Sequence, residues 1–170
     1  IYRAVMIVYS KTKNEFIRDV ENHTIADEIL EAFQKVVGHN VAISQFRVFQ
    51  NSMKPMGYIM DDSEIPSDAG IAIEYKIPLT SKRVDFIITG ADENGADNVI
   101  IVELKQWESA ELTEKDGIVT TFLGGGKRET QHPSYQAWSY ASLINDYNQT
   151  VQNEAIVINP CAYLHNYYPD

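Results

Sequence analysis

The sequence predicts one α/β domain over residues 1–170. Apolar residues recur at helical spacing in two segments, 14–37 and 133–147, and three extended runs rich in Val and Ile lie between these segments. With 44% apolar and 22% charged residues, the composition is that of an ordinary globular domain. A chain of 170 residues can bury a full core without disulfides or a structural metal.

The first helical segment runs from Asn14 to Val37. Its apolar spacings of three to five residues fit one long amphipathic helix, or two helices broken near Asn22-His23-Thr24. We expect Gly38 to end it. Residues 41–68 show no clear period and predict a short strand or helix followed by a loop.

The three extended runs, at residues 70–77, 83–89 and 98–105, predict strands. Short connections containing turn residues join them, which favours an antiparallel meander. Pro133 stands where a second long helix would begin, and this helix is followed by a strand over residues 154–159 that we expect Pro160 to stop.

The composition excludes a disulfide-built secreted scaffold and a structural zinc domain. The single cysteine, Cys161, cannot form an intramolecular disulfide, and the His and Cys residues lack zinc-finger spacing. No apolar run approaches the roughly 20 residues that span a bilayer, so we expect a soluble, cytoplasmic protein without a membrane partner. The chain does not begin with Met and ends in an aromatic stretch, and we therefore expect a fragment of a longer protein.

The net charge of −10 argues against nucleic-acid binding by broad electrostatic attraction. Half of the basic residues nevertheless lie between positions 76 and 128. In this region the string Gly124-Gly-Gly-Lys-Arg128 fails the Walker spacing and predicts a flexible loop, either a plain mobile loop or one that holds a nucleic-acid backbone. Lys127, Arg128 and Lys82 are the candidate nucleic-acid-binding residues.

Charged residues end the third predicted strand. Side chains alternate along a strand, so Glu103 and Lys105 share one side while Leu104 points into the core. Asp85 interrupts the second strand between apolar neighbours, and antiparallel pairing would bring it beside Glu103. Two nearby buried carboxylates are costly unless a cation joins them, and hard oxygen ligands suit Mg²⁺ or Mn²⁺. With Lys105 beside the attacking water, this set predicts phosphodiester hydrolysis.

The string of Asp85, seventeen intervening residues and Glu103-Leu104-Lys105 resembles the signature of the PD-(D/E)xK nuclease superfamily. The resemblance implies a restriction-endonuclease-like core, a central mixed β-sheet flanked by helices, and activity dependent on Mg²⁺ or Mn²⁺. It also implies metal ligation by Asp85 and Glu103. Val84 stands where the superfamily usually has Pro.

Further motifs extend the resemblance. Gln136-Ala-Trp-Ser-Tyr140 is similar to the QxxxY motif of RecB-like exonucleases, which implies that Gln136 and Tyr140 belong to the catalytic site. An acid on the first helix often accompanies that site. Glu28 is the candidate here, ahead of Glu21 and Glu31. Glu74 is a further candidate metal ligand, although it could equally pair with Lys76 or Arg83.

The region from position 70 onward, including Tyr163-Leu-His-Asn166, resembles a nuclease-like domain that precedes a helicase-like ATPase in bacterial proteins. The expected function is therefore a Mg²⁺- or Mn²⁺-dependent deoxyribonuclease domain, with DNA as substrate and the helicase-like ATPase region of the same longer chain as partner. RNA remains open as a substrate. The alternative is a non-catalytic module that keeps the nuclease fold and binds nucleic acid or a partner protein.

Overall fold

The computed structural model describes residues 7–37 and 43–169, and a five-stranded mixed β-sheet lies at its centre. The strand order is β1-β2-β3-β4-β8, with β8 parallel to β4 and all other neighbours antiparallel. The strands of this sheet are β1 (Tyr9–Thr12), β2 (Gly70–Lys76), β3 (Arg83–Ala91), β4 (Asp97–Lys105) and β8 (Val157–Leu164). The helices are α1 (Lys13–Glu21), α2 (Ile25–Val37), α3 (Ile43–Met60), α4 (Pro133–Tyr147) and α5 (Gln149–Asn153).

The antiparallel meander predicted for the middle of the chain is confirmed, because β2, β3 and β4 pair in sequence order. The N-terminal helical segment is two helices, the second of the two alternatives. Asn22 caps α1, and His23 has a φ of 58°, a left-handed conformation that no helix continues. Gly38, the predicted helix end, lies outside the described residues.

The segment expected to hold only a short element contains the 18-residue helix α3. Met53, Met56 and Met60 recur at helical spacing and are fully buried against α1 and the sheet, so packing overrides the Pro55 in the helix interior. Gly57 makes this packing close, since a Cβ there would stand 2.9 Å from a methyl carbon of Val20 on α1.

The predicted flexible basic loop is instead part of a β-hairpin. Strands β5 (Glu111–Leu112), β6 (Ile118–Leu123) and β7 (Gly126–Gln131) form a second, three-stranded antiparallel sheet. Gly124 and Gly125 form its turn with φ values of 58° and 85°, a conformation that glycine adopts without steric cost. Lys127 and Arg128 therefore lie on a strand rather than on a mobile loop.

The prediction that Pro160 stops the last strand is wrong. Strand β8 runs through Pro160, which is paired in register with Ile101 of β4. A proline donates no backbone hydrogen bond, and this is tolerated here because β8 is an edge strand. The helix predicted to begin at Pro133 is confirmed as α4, and the His132 imidazole accepts a hydrogen bond from the Ser134 amide at its start.

Two hydrophobic clusters cover opposite faces of the central sheet. The α1–α3 core includes Phe16, Ile29 and Phe86, and the α4–α5 core includes Ile144 and Val151. The helices thus enclose the sheet on both sides, an α/β architecture. Within the described ranges, no helix has the length and apolar character needed to cross a bilayer.

Candidate active site

Strand β2 changes face at Glu74. Ile71 and Ile73 pack in the α1–α3 core, whereas Tyr75 and Ile77, which regular alternation would place on the same side, pack in the α4–α5 core. The cause is Glu74 itself, whose φ of 57° is a left-handed conformation that costs a residue with a Cβ about 1–2 kcal/mol. Unlike the positive φ of His23 at a helix end, that of Glu74 falls inside a strand, and strained residues of this kind cluster at functional sites.

Strand β3 changes face beside it. Phe86 packs in the α1–α3 core and Val84 in the α4–α5 core, with Asp85 between them. The register pairs Ile73 with Phe86 and Tyr75 with Val84, so Glu74 and Asp85 are opposite each other in the gap between these pairs. The change of face therefore brings two carboxylates together near one end of the sheet.

The end of β4 supplies the other charges. The Lys105 ammonium is 2.6 Å from Glu103 Oε1, which confirms that the two side chains share one side of the strand. Asp85 Oδ2 accepts a hydrogen bond of 2.9 Å from the Leu104 amide, which fixes β3 against this end of β4. The second oxygen of Glu103, Oε2, is buried and has no hydrogen-bond partner among the described residues.

The surroundings of Glu74, Asp85 and Glu103 raise the pKa of each of these acids. Burial raises the pKa of Glu103, and the Asp85 charge raises it further against the opposing effect of Lys105. Burial also raises the pKa of Asp85, while the Leu104 amide and Lys105 act against this. The pKa of Glu74 rises to about 7, first through burial and then through the Asp85 charge. The acids therefore form a cluster that a cation would stabilise.

A cavity of about 400 Å³ opens above these acids, between the sheet and helices α2 and α3. Arg83 crosses it with its guanidinium 5.5 Å from the Phe33 ring centroid, and its Nη1 donates to the Glu74 carbonyl at 2.9 Å. The cavity is lined by Phe33, Val48, Phe49, Ser52, Met53, Glu74, Arg83, Asp85, Glu103, Leu104 and Lys105.

Gln136 and Tyr140 lie on α4, on the opposite side of the sheet from α2 and α3. They share a helix face as their spacing predicts, and the Gln136 amide donates to the Tyr140 hydroxyl at 2.9 Å. The pKa of Tyr140 is raised by burial and by the charges of Glu103 and Asp85, so its ring is near those acids. Neither side chain lines the cavity.

The remaining candidate acids lie elsewhere. Glu28 forms an ion pair of 2.6 Å with Lys11, which also binds Asp19, and it does not line the cavity. Glu31 is paired with Lys35 on the surface of α2, and Glu21 borders a separate groove between α1 and α3. The structure thus brings Glu74 to Asp85 and Glu103 and does not bring Glu28 there.

The predicted nucleic-acid-binding residues are also outside the cavity. Lys127 pairs with Glu111 across the β5–β7 sheet, and Arg128 follows it on β7. Lys82 is exposed in the turn between β2 and β3. They are surface cations that do not line the cavity containing the acids.

Sequence reasoning named Arg83 only as a possible partner of Glu74, a contact that the structure has at 4.0 Å, and it missed Phe33 and a polar array behind Lys105. The array joins the Ser52 hydroxyl to His165 Nε2 at 3.1 Å, and the His165 amide donates to the Lys105 carbonyl. Arg83 precedes Asp85 by two residues, and strand alternation could have predicted that both side chains lie on the same side of β3. Phe33 and the array depend on packing between distant segments and left no local signal.

A divalent cation fits the site through two carboxylates. In residues 7–37 and 43–169, no group of three or more His, Cys, Asp or Glu side chains is arranged to hold a metal ion. Asp85 and Glu103 nevertheless both line the cavity as oxygen donors, and Glu103 Oε2 is buried without a hydrogen-bond partner among the described residues. These two residues would hold the ion.

Fold and site together define a mixed α/β protein with two acids and a lysine at the end of adjacent strands. Comparison with protein-family models, with curated proteins and with solved structures finds no match to this chain. Functional assignment therefore depends on the chemistry of the site.

Proposed function

We propose that this domain is a metal-dependent nuclease that hydrolyses phosphodiester bonds in DNA, with the fold of the PD-(D/E)xK superfamily. The observation that carries the proposal is the meeting of Asp85, Glu103 and Lys105 at one cavity from two adjacent strands. Two carboxylates beside a lysine at a concave site match the requirements of phosphoryl chemistry.

Each residue has a distinct task in the proposed reaction. Asp85 and Glu103 would hold Mg²⁺ or Mn²⁺, which would supply Lewis-acid polarisation of a phosphoryl oxygen. Lys105, with 22% of its side chain exposed, donates a hydrogen bond to the attacking water or to the phosphate and offsets the charge that develops there. The water oxygen bonds to phosphorus and one P–O bond breaks. The water loses one proton to solvent and the leaving oxygen takes one from solvent, so the reaction balances.

Gln136 and Tyr140 lie outside the cavity, so their contribution to the proposed reaction is indirect. Tyr140 packs in the α4–α5 core and the charges of Glu103 and Asp85 affect its pKa, so the Gln136–Tyr140 pair would act on the site from the α4 side without lining the cavity. The resemblance of the region from position 70 onward to a nuclease-like domain that precedes a helicase-like ATPase supports such a region of the same longer chain as the partner. RNA is the alternative substrate.

The test is cleavage of linear, circular and single-stranded DNA in Mn²⁺ and in Mg²⁺. Lys105→Ala and Asp85→Ala are expected to lower the cleavage rate by about 100-fold or more, as expected for removal of groups that stabilise developing charge. Lys35→Ala is the matched control, because this lysine is 77% exposed on α2. Cleavage that persists unchanged in Lys105→Ala would contradict the proposal.

A non-catalytic binding module is the second candidate. The observation that favours it is the ion pair between Lys105 and Glu103, which uses one carboxylate oxygen that a metal would need. Calorimetry separates the two functions. Binding of Mn²⁺ that is lost in Asp85→Ala supports the nuclease, and the absence of Mn²⁺ binding by the wild type supports the module.

A further inference from the structure

The wall of the cavity opposite the acids is aromatic. Phe33 of α2 and Phe49 of α3 have ring centroids 5.6 Å apart at an angle of 35°, and both rings are only half-buried. Val48 continues the apolar surface at the rim, with 52% of its surface exposed. Aromatic faces of this kind stack on nucleic-acid bases regardless of sequence, and one such contact strengthens binding by about 5- to 150-fold.

Two cations are placed between this wall and the acids. Arg83 is oriented by the Glu74 carbonyl and by the Phe33 ring, and one of its five N–H donors serves that carbonyl. Its carboxylate contact with Glu74 is long, at 4.0 Å. A guanidinium oriented in this way is suited to bidentate binding of a phosphate, and Lys105 supplies a second positive charge on the other side.

The acids of the cavity are hardly open to solvent. Glu103 is 4% exposed and Glu74 is 9% exposed, so a ligand meets them from the cavity that they line. In a base-paired duplex the bases are stacked inward, so a base can lie against Phe33 and Phe49 only where it is unpaired. The volume of about 400 Å³ is within the range of small-ligand sites.

We propose that the cavity binds one unpaired nucleotide of a single strand, with its base against Phe33 and Phe49 and its phosphate on Arg83 and Lys105. This inference rests on the proposed nuclease function and names its substrate class. Cleavage would then act on single-stranded ends, flaps or displaced strands rather than on intact duplex.

The charges of the cavity make this binding dependent on a cation. With all groups ionised, Glu74, Asp85 and Glu103 outweigh Arg83 and Lys105 by one negative charge, which repels a phosphate. One divalent ion on the carboxylates reverses the sign. We therefore expect single-strand binding in Ca²⁺ or Mn²⁺ and little binding in EDTA.

The experiment measures binding by the fluorescence anisotropy of two labelled DNAs, an oligothymidylate of six nucleotides and a blunt hairpin. Each is measured in Ca²⁺ and in EDTA. The variants are Arg83→Gln, which removes the guanidinium, and Phe49→Leu, which keeps most of the buried volume and removes the aromatic face. Phe122→Ala is the control, because this phenylalanine is 63% exposed on β6. Thermal melting of each variant shows whether it is folded.

In Ca²⁺, the wild type is expected to bind the single strand about tenfold or more tightly than the hairpin. Arg83→Gln and Phe49→Leu each weaken single-strand binding about fivefold or more, the lower limit expected for one phosphate or one stacking contact. Equal binding of strand and hairpin overturns the inference. So does unchanged binding in both variants, or a wild type that binds no single strand in Ca²⁺.

Cleavage assays on the same preparations separate this inference from the proposed function. Cleavage of closed circular duplex without preferential single-strand binding overturns the inference and leaves the nuclease standing. Tight, Arg83-dependent binding of the single strand by a protein that cleaves no DNA supports the inference and overturns the nuclease.

Discussion

Replacing Glu74 with Gln removes a buried charge while keeping the shape of the side chain. Burial and the Asp85 charge raise the pKa of Glu74 from 4.5 to about 7. Between these two pH values the folded state binds a proton that the unfolded state has released. The stability of the wild type therefore falls as pH rises from 4.5 through 7, and the full cost is present above pH 7.

The size of the destabilisation by ionised Glu74 follows from the difference between its two pKa values. At 1.36 kcal/mol per pH unit, the difference between 4.5 and about 7 corresponds to roughly 3 kcal/mol. The Glu74 side chain is 12% exposed, and solvent screening lowers the measurable part. We expect Glu74→Gln to raise the free energy of unfolding by about 1–2 kcal/mol at pH 8 and by little at pH 4.5. The Tm at pH 8 rises by about 2–8 °C.

Urea unfolding of both proteins in EDTA at pH 4.5, 5.5, 6.5, 7.5 and 8 measures this difference. Asp85 and Glu103 titrate in both proteins and interact with Glu74, so the difference between the two curves measures Glu74 together with its coupling to these acids. Glu93→Gln, an exposed carboxylate in the turn between β3 and β4, is the matched control and should show no such rise. A difference that stays flat across this pH range would refute the reasoning.

Three further predictions concern the core, a buried histidine and the cation. Phe86→Ala removes a fully buried ring from the α1–α3 core and should cost about 3–5 kcal/mol in urea unfolding; a loss below 1 kcal/mol would contradict that packing. Burial lowers the pKa of His165, so acid favours the unfolded state, which takes up the proton more readily. Stability should fall as pH drops below 6.5, and His165→Asn should remove that part of the slope. Mn²⁺ should raise the Tm of the wild type and leave the Asp85→Asn, Glu103→Gln double variant unchanged, whereas an equal rise in both would place the ion elsewhere.

The strands and the charged end of β4 could be predicted because their signals are local. A run of Val and Ile followed by Glu103 and Lys105 fixes both the element and the side that the charges share, and the structure confirms the contact between them. The turn residues between the runs indicated the antiparallel order for the same reason.

The rest of the site depends on features that a linear pattern does not contain. A glutamate has no preference for positive φ, so the change of face at Glu74 could not be anticipated from its position in an alternating strand. The cavity wall joins Phe33 and Phe49 from two helices, and its cation, Arg83, comes from a strand. The β5–β7 sheet was missed because β5 has only two residues and β7 is polar, although Ile118–Leu123 of β6 is a run of β-branched and apolar residues that is typical of a strand.

Pro160 has a consequence beyond the geometry of β8. A strand at the side of a sheet offers its backbone groups to any other extended chain, which is a common route to aggregation. Pro160 removes one donor from the middle of β8 and restricts the backbone there, so a foreign strand would meet an interrupted ladder. Pro160, which the sequence predicted as the end of the strand, thus protects the β8 edge of the sheet from pairing with strands of other chains.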